Sequence, residues 1–213
     1  MCLMFLISIL VFFVSLSAHE FAHGLMALKM GDKTAKLAGR LTMNPLKHLD
    51  KSGFLCFALL GVGWAKPIPI NHLNFKKFKT GMRLVSLAGI FANILLGLLS
   101  AGLYAVLLIT VGAEIVAMQY VYLILEYFML VNSFLALFNI LPIHPLDGFN
   151  FVASFMRNDN KFIRFSLKNG FKILLGALLF GLFTQLMFGF DILDWYLSIL
   201  YNYVFIPIAS LGV

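Results

Sequence analysis

Charged residues are scarce in this sequence of 213 residues, since Asp, Glu, Lys and Arg make up only 12% of it while hydrophobic residues make up 62%. Soluble domains average about 25% charged and about 45–50% apolar residues. So few charged side chains cannot cover the surface of a soluble domain of this length. The composition therefore predicts one integral-membrane domain over residues 1–213.

Basic residues are missing from three long stretches, residues 1–28, 84–156 and 173–213, and this distribution shows what the positive charge means. All sixteen Lys and Arg fall within residues 29–83 and 157–172. Basic clusters in short loops follow the positive-inside rule of membrane proteins. The net charge of +7 therefore predicts two cytoplasmic segments at a lipid bilayer, and we expect no nucleic-acid partner.

The sequence is also poor in cysteine, and it lacks a charged N-terminal start. Cys2 and Cys56 are the two cysteines, and their apolar surroundings favour buried thiols over a disulfide. No basic residue precedes Lys29, which argues against a secretory signal peptide. Residues 2–28 are long enough to span a membrane. Because the first basic segment follows them, we predict that the N-terminus faces outside.

The apolar runs predict an all-α polytopic protein with about five transmembrane helices. The apolar run 54–64 is too short to cross and is flanked by Lys51 and Lys66, which favours a re-entrant element that dips in and returns. Prolines make the segment after it extended, and we expect short strands or turns near residues 31–53. The predicted crossings are residues 2–28, 83–112, 115–141, 172–190 and 192–208, the last two forming a C-terminal pair within 170–213.

Two histidines and a glutamate lie inside the first apolar run, as His19-Glu20-Phe21-Ala22-His23. Helical positions i and i+4 share a face, so both imidazoles can bind one ion. Glu20 lies beside them, as the base does in zinc metalloproteases with the HExxH pattern. Ionisable side chains within a membrane are costly and mark function by default. His23 precedes Lys29 by six residues, which predicts a site inside the membrane towards the cytoplasmic face.

A catalytic zinc site needs a third protein ligand and one open position. Asp147 is the best candidate, in the segment NILPIHPLDG at residues 139–148. Pro142 interrupts the helix there, and non-helical backbone at membrane depth is tolerated where it lines a cavity. Asp147 therefore ranks ahead of the other downstream candidates, which are His48, Asp50, His72, Glu114 and Glu126.

Five motifs follow one another within residues 17–150: HEFAH, LTMNPLKHLD, GWAKPIPIN, LAGIFANILL and NILPIHPLDG. This ordered set resembles the site-2 protease family of intramembrane zinc metalloproteases. The resemblance implies a three-helix catalytic core in which His19, His23 and Asp147 bind one Zn²⁺ and Glu20 is the general base.

The resemblance further implies that Asn139 helps to hold the substrate or the oxyanion, and that Asn93 makes a supporting polar contact. Some members of the family carry PDZ or CBS domains, for which we expect no room here. Ile90 and Lys51 stand where the family usually has proline. His144 is a further departure, and it is a donor to a ligand, a rival ligand or a loop residue in contact with water.

The sequence thus predicts a zinc metalloendopeptidase that cleaves a transmembrane protein substrate within or near its membrane segment, a reaction known as regulated intramembrane proteolysis. A bacterial or archaeal plasma membrane is the expected location. A membrane transporter of zinc or another metal ion is the alternative, but the outer halves of the crossings offer little beyond Glu114, Gln119 and Glu126 to carry an ion. A non-catalytic scaffold would leave the ordered motifs unexplained.

Overall fold

The computed structural model describes residues 2–60, 63–157 and 159–212. Within these ranges the only β-pairing is an isolated bridge between Leu49 and Ala65, so the predicted all-α class is confirmed. The described residues form ten α-helices: α1 (Cys2–Met30), α2 (Thr34–Leu37), α3 (Pro45–His48), α4 (Lys51–Leu60), α5 (Phe78–Thr110), α6 (Val116–Asn139), α7 (Asp147–Ala153), α8 (Lys161–Phe188), α9 (Ile192–Leu197) and α10 (Ile206–Ala209).

Four of these helices, α1, α5, α6 and α8, are long and apolar enough to cross a membrane. They correspond to the first four predicted crossings. Helix α5 begins five residues earlier than predicted and α8 begins eleven residues earlier, because their basic first turns continue the helix. Helices α1, α5 and α6 pack against one another and carry most of the buried polar side chains.

The predicted fifth crossing, residues 192–208, is wrong as a continuous helix. The chain there forms α9, a π-helical turn at Tyr201–Phe205 and α10. The hydroxyl of Ser133 on α6 donates to the carbonyl of Leu197 (2.8 Å) and accepts from the amide of Tyr201 (3.1 Å). Because two backbone groups of the segment bond to α6 instead of to each other, its helix is interrupted at this point.

The two ends of the predicted re-entrant segment lie together. Helix α4 begins two residues after Leu49, and Leu49 forms a bridge with Ala65. The amide of Lys66 donates to the carbonyl of His48 at 2.7 Å. Short helices α2 and α3 take the place of the strands considered for residues 31–53. The thiol of Cys56 is only partly buried, while the side chain of Cys2 lies outside the described part of the chain.

Asp32 ties the end of α1 to the loop that precedes α5. Its buried carboxylate accepts hydrogen bonds from the amide and hydroxyl of Thr34 (3.0 and 2.5 Å), the amide of Asn71 (2.7 Å) and the side chain of Asn74 (2.8 Å). Burial by itself raises the pKa of Asp32, but these hydrogen bonds outweigh it and hold the pKa below its usual value. The anchor fixes the position of the extended segment that leads to the site.

Candidate metal centre

Helix α1 presents two imidazoles on one buried face. His19 and His23 are one helical turn apart, and their Nε2 atoms lie 2.9 Å from each other. Their exposed fractions are 4% and 6%. The rings meet edge to face, with centroids 4.5 Å apart, so both Nε2 atoms point into the same space as the spacing predicts.

Asp147 reaches the same space from a distant part of the sequence. Helix α6 ends at Asn139, as Pro142 predicts, and a short loop leads to α7. Asp147 is the first residue of α7, which corrects the prediction that it lies within the unwound loop. Its Oδ2 atom is 3.1 Å from the Nε2 atoms of both His19 and His23. The structure thus brings the three predicted ligands together.

The opposite ring nitrogens of the two histidines have partners on α5. Nδ1 of His19 lies 2.6 Å from Oδ1 of Asn93, and Nδ1 of His23 lies 2.7 Å from the carbonyl oxygen of Val85. A carbonyl oxygen accepts, so each Nδ1 carries the proton and each Nε2 keeps its lone pair. This is the usual arrangement of metal-binding histidines, whose second nitrogen donates to a carbonyl or carboxylate.

Gly89 allows α5 to approach the imidazoles this closely. A Cβ atom at this position would lie 2.5 Å from Cε1 of His19 and 2.5 Å from Nε2 of His23. Gly89, Asn93 and Gly97 follow one another at intervals of four residues, and all three are buried on α5. The structure adds that Gly89 packs on the rings themselves, while Gly97 packs on Phe205.

The donor set and its spacing fit a zinc ion. Two imidazole nitrogens and one carboxylate oxygen are a common catalytic zinc set, and tetrahedral bonds of 2.0–2.1 Å place ligand atoms about 3.3 Å apart. The three atoms here are separated by 2.9, 3.1 and 3.1 Å. Oδ2 of Asp147 is buried and receives no hydrogen bond from the described residues. Among those residues this is the only group of three or more potential ligands.

Glu20 lies next to the histidines along α1 but is outside the ligand group. Its Oε2 atom accepts a hydrogen bond of 2.7 Å from the amide of Ile68. Ile68 belongs to the extended segment between α4 and α5. This contact places the segment beside the glutamate, and no pattern in the sequence indicates it.

The described contacts of Asn139 and His144 are with residues other than the three ligands. The side chain of Asn139 donates to the carbonyl of Leu135, one turn earlier in α6, at 2.9 Å. The ring of His144 packs edge to face on Phe149 with centroids 5.3 Å apart, and its backbone amide donates to Ser166 of α8 at 2.9 Å. The structure therefore leaves His144 out of the ligand group and places it between the loop and α8.

One buried polar residue near the site was missed by the sequence analysis. Asn132 lies in the middle of α6, is fully buried and accepts a hydrogen bond of 2.8 Å from Asn93. The sequence does point to Asn132, because an amide within a membrane-spanning helix needs an internal partner. The contact with Asn93 depends on how α5 and α6 pack.

Comparison with known proteins gives two informative similarities. The chain is 43% identical over 141 residues to the protein named "Putative zinc metalloprotease YwhC" of Bacillus subtilis (strain 168), which covers 65% of this chain and 64% of that protein. It is 33% identical over 104 residues to "Putative zinc metalloprotease Rip2" of Mycolicibacterium smegmatis (strain ATCC 700084 / mc(2)155), over 46% of this chain and 40% of that protein.

The chain thus spans less than two thirds of the length of either relative. No family model and no solved structure matches it. The chain is a homologue of proteins that are named as zinc metalloproteases, in agreement with the site-2 protease resemblance of its motifs.

Proposed function

We propose that this protein is an intramembrane zinc metalloprotease that hydrolyses a peptide bond within or near a transmembrane segment of a membrane-protein substrate. The observation that carries the proposal is the convergence of three ligand atoms at 2.9–3.1 Å among helices apolar enough to span a membrane. A buried carboxylate oxygen that receives no hydrogen bond from the described residues is costly in apolar surroundings, and a cation bound by the triad would stabilise it.

His19, His23 and Asp147 would hold one Zn²⁺ per chain and leave one position open. Zinc bound there supplies a Lewis acid that activates water and polarises the carbonyl group of the substrate. Asn93 and the carbonyl of Val85 orient the two imidazoles, so the ligands are held in place before any ion binds. Asn139 remains our candidate for a contact with the substrate or the oxyanion.

Glu20 is the proposed general base. Its carboxylate accepts the proton of the attacking water and then delivers it to the leaving amine. The hydrogen bond from the amide of Ile68 holds this carboxylate in one orientation. Because this donor is a backbone group, substitution of the Ile68 side chain leaves the contact intact.

The extended segment at residues 63–71 is the proposed binding edge for an unwound stretch of substrate. A helical substrate must unwind first, because the carbonyl groups of a helix are hydrogen-bonded. An extended chain can then pair with a strand edge, as in β-augmentation. The contact between Ile68 and Glu20 supports this position, because it puts the edge beside the base. Mapping of a trapped complex that finds no substrate contact in residues 50–75 would contradict it.

The four long apolar helices and the charge distribution support the proposed localisation. We propose an integral protein of a bacterial or archaeal plasma membrane, with its N-terminus outside and its active site towards the cytoplasm. Both basic segments then lie on the cytoplasmic side, one between α1 and α5 and the other at the start of α8.

The test compares wild type with Glu20→Gln and His23→Ala, purified in detergent, with a panel of single-span membrane substrates and bound zinc measured in each protein. We expect wild type to cleave and to hold about one zinc per chain. Glu20→Gln should keep its zinc and lose turnover by at least about 10²-fold, whereas His23→Ala should lose zinc. Equal zinc in all three proteins, or cleavage by Glu20→Gln at the wild-type rate, would contradict the assignment.

Metal transport is the rival outcome of the same experiment. Reconstituted vesicles loaded with a zinc-sensitive dye report zinc uptake directly. The protease proposal predicts no uptake above that of empty vesicles, since the described ligand group is confined to one site. Zinc uptake together with an absence of cleavage would favour the transporter.

A further inference from the structure

A chain of buried side chains connects the candidate metal centre to two other helices. Asn93 on α5 and Asn132 on α6 are fully buried, as is Ser15 on α1. The chain runs from His19 through Asn93 and Asn132 to Ser15, with hydrogen bonds of 2.6, 2.8 and 2.9 Å. Each of the three helices of the bundle therefore contributes a member.

The direction of every hydrogen bond in this chain follows from one backbone group. The side chain of Asn132 lies 2.8 Å from the carbonyl oxygen of Phe128. A carbonyl oxygen can only accept, so the atom of Asn132 that faces it is Nδ2, and Oδ1 of Asn132 faces Asn93. Asn93 must then donate with its own Nδ2 at 2.8 Å. Its Oδ1 is consequently turned towards Nδ1 of His19.

The orientation of Asn93 decides which nitrogen of His19 carries the proton. With Oδ1 towards the ring, Nδ1 donates and Nε2 keeps a lone pair for a metal. With the amide reversed, Nδ2 of Asn93 faces Nδ1, and the ring proton moves to Nε2, where it blocks ligation. Asn93 itself has both an acceptor and a donor, so it needs a fixed partner to distinguish the two orientations.

His23 needs no such relay. Its Nδ1 faces the carbonyl oxygen of Val85 at 2.7 Å, and this backbone group can only accept. The two histidines are thus held in the same tautomer by different means, one by a backbone carbonyl and the other by two successive side-chain amides.

We infer that Asn132 is a positioning residue, which acts through Asn93 to hold His19 in the tautomer that binds metal. The inference rests on the proposed function in one respect, which is that the metal is taken to be zinc. Among the described residues Asn132 forms no hydrogen bond with His19, His23 or Asp147, so its effect on the metal must pass through Asn93.

The decisive variant is Asn132→Leu, which removes the acceptor for Asn93 at similar volume. Ser133→Ala is the matched control, because Ser133 is the next residue of α6, is equally buried and bonds to the C-terminal segment instead of to Asn93. Asn132→Asp is the conservative rescue, since a carboxylic acid kept neutral by burial retains one acceptor and one donor.

Two readouts are required. Competition with a chromophoric chelator gives the zinc affinity. Nitrogen-15 NMR of metal-free protein with labelled histidine gives the tautomer of His19, whose signal is assigned by its loss in His19→Gln. We expect Asn132→Leu to lower zinc affinity by about 10–100-fold and to shift His19 towards the tautomer protonated at Nε2. Ser133→Ala should change neither value, and Asn132→Asp should remain close to wild type in both.

A second measurement tests whether the effect passes through Asn93. In an Asn93→Leu background, the further change Asn132→Leu should leave zinc affinity unaltered, because the relay is already broken. Additive losses would overturn the inference, as would a wild-type tautomer in Asn132→Leu or a loss of affinity equal to that in Ser133→Ala. The tautomer is measured without metal. If wild-type protein binds no zinc, the proposed function fails while the positioning role is still decided by NMR.

Discussion

Replacement of Gly89 by alanine would place a methyl group against both imidazoles of the candidate metal centre. The new Cβ atom would lie 2.5 Å from Cε1 of His19, 2.7 Å from its Nδ1 and 2.5 Å from Nε2 of His23. All three distances are well inside van der Waals contact, so either α5 or the rings must move. The rings are anchored to α5 through Asn93 and Val85, and a shift of α5 therefore also disturbs their orientation.

The net effect on folding is smaller than the effect on metal binding. Alanine favours a helix over glycine by about 1 kcal/mol, whereas forcing an extra methyl group into a packed site costs about 1–3 kcal/mol. The free energy of unfolding of Gly89→Ala should therefore fall by about 0–2 kcal/mol. Disturbing the groups that orient metal ligands costs about 10–100-fold in affinity, which equals about 1.4–2.8 kcal/mol of zinc binding. Zinc affinity is the more sensitive measurement.

Two alanine variants on the same helix provide controls for Gly89→Ala. A Cβ atom at Gly102 would meet nothing within 4 Å, so Gly102→Ala should keep its zinc and gain about 1 kcal/mol of stability. A Cβ atom at Gly97 would collide with the ring of Phe205, so Gly97→Ala should lose stability and keep its zinc. Zinc affinity from chelator competition and thermal unfolding in detergent measure both effects. A folded Gly89→Ala protein with wild-type zinc affinity would refute the reasoning.

Two other substitutions test the supports of the site. Gly170→Ala on α8 would press on the backbone of His144 and displace the loop that leads to Asp147, so we expect it to weaken zinc binding. Gly176→Ala on the same helix is the control, because a Cβ atom there would meet nothing within 4 Å, and it should bind zinc normally. Asp32→Asn should lower the free energy of unfolding by about 2 kcal/mol at pH 7, because it removes a buried carboxylate that accepts four hydrogen bonds. The folded-state pKa of Asp32 is lowered, so its contribution is complete above the ordinary carboxyl pKa of about 4 and is lost as the pH falls through the folded value. The unfolding temperatures of wild type and Asp32→Asn should therefore differ at pH 7 and converge below pH 4. A constant difference between them down to pH 3 would contradict this account of Asp32.

Much of the fold was predictable because long apolar runs form helices wherever they lie. For the first four crossings, most of the predicted ends lie within a few residues of the observed ones. Pro142 correctly marks the end of α6 near Asn139. Residues 192–208 are also largely apolar but do not form one helix. Their backbone bonds to Ser133, a residue about sixty positions earlier, and apolar periodicity carries no information about such a partner.

The ligand triad was predictable for two separate reasons. The spacing of His19 and His23 fixes their common face through the geometry of a single helix, whatever surrounds it. Asp147 followed from an argument about topology, because a broken helix on the same side of the membrane had to line a cavity. The approach of Asp147 Oδ2 to 3.1 Å from both rings agrees with that ranking.

The surroundings of the triad depend on packing between segments distant in the chain. Three features of the site join residues that lie 39 to 74 positions apart in the chain. They are the relay from Asn132 through Asn93 to His19, the contact of Ile68 with Glu20 and the approach of Gly89 to the rings. Local sequence specifies which residues are polar, small or apolar, and the geometry of one helix specifies which of them share a face. The relative rotation and depth of α1, α5 and α6 determine which faces meet, because hydrogen bonds and steric contacts operate over only a few ångströms.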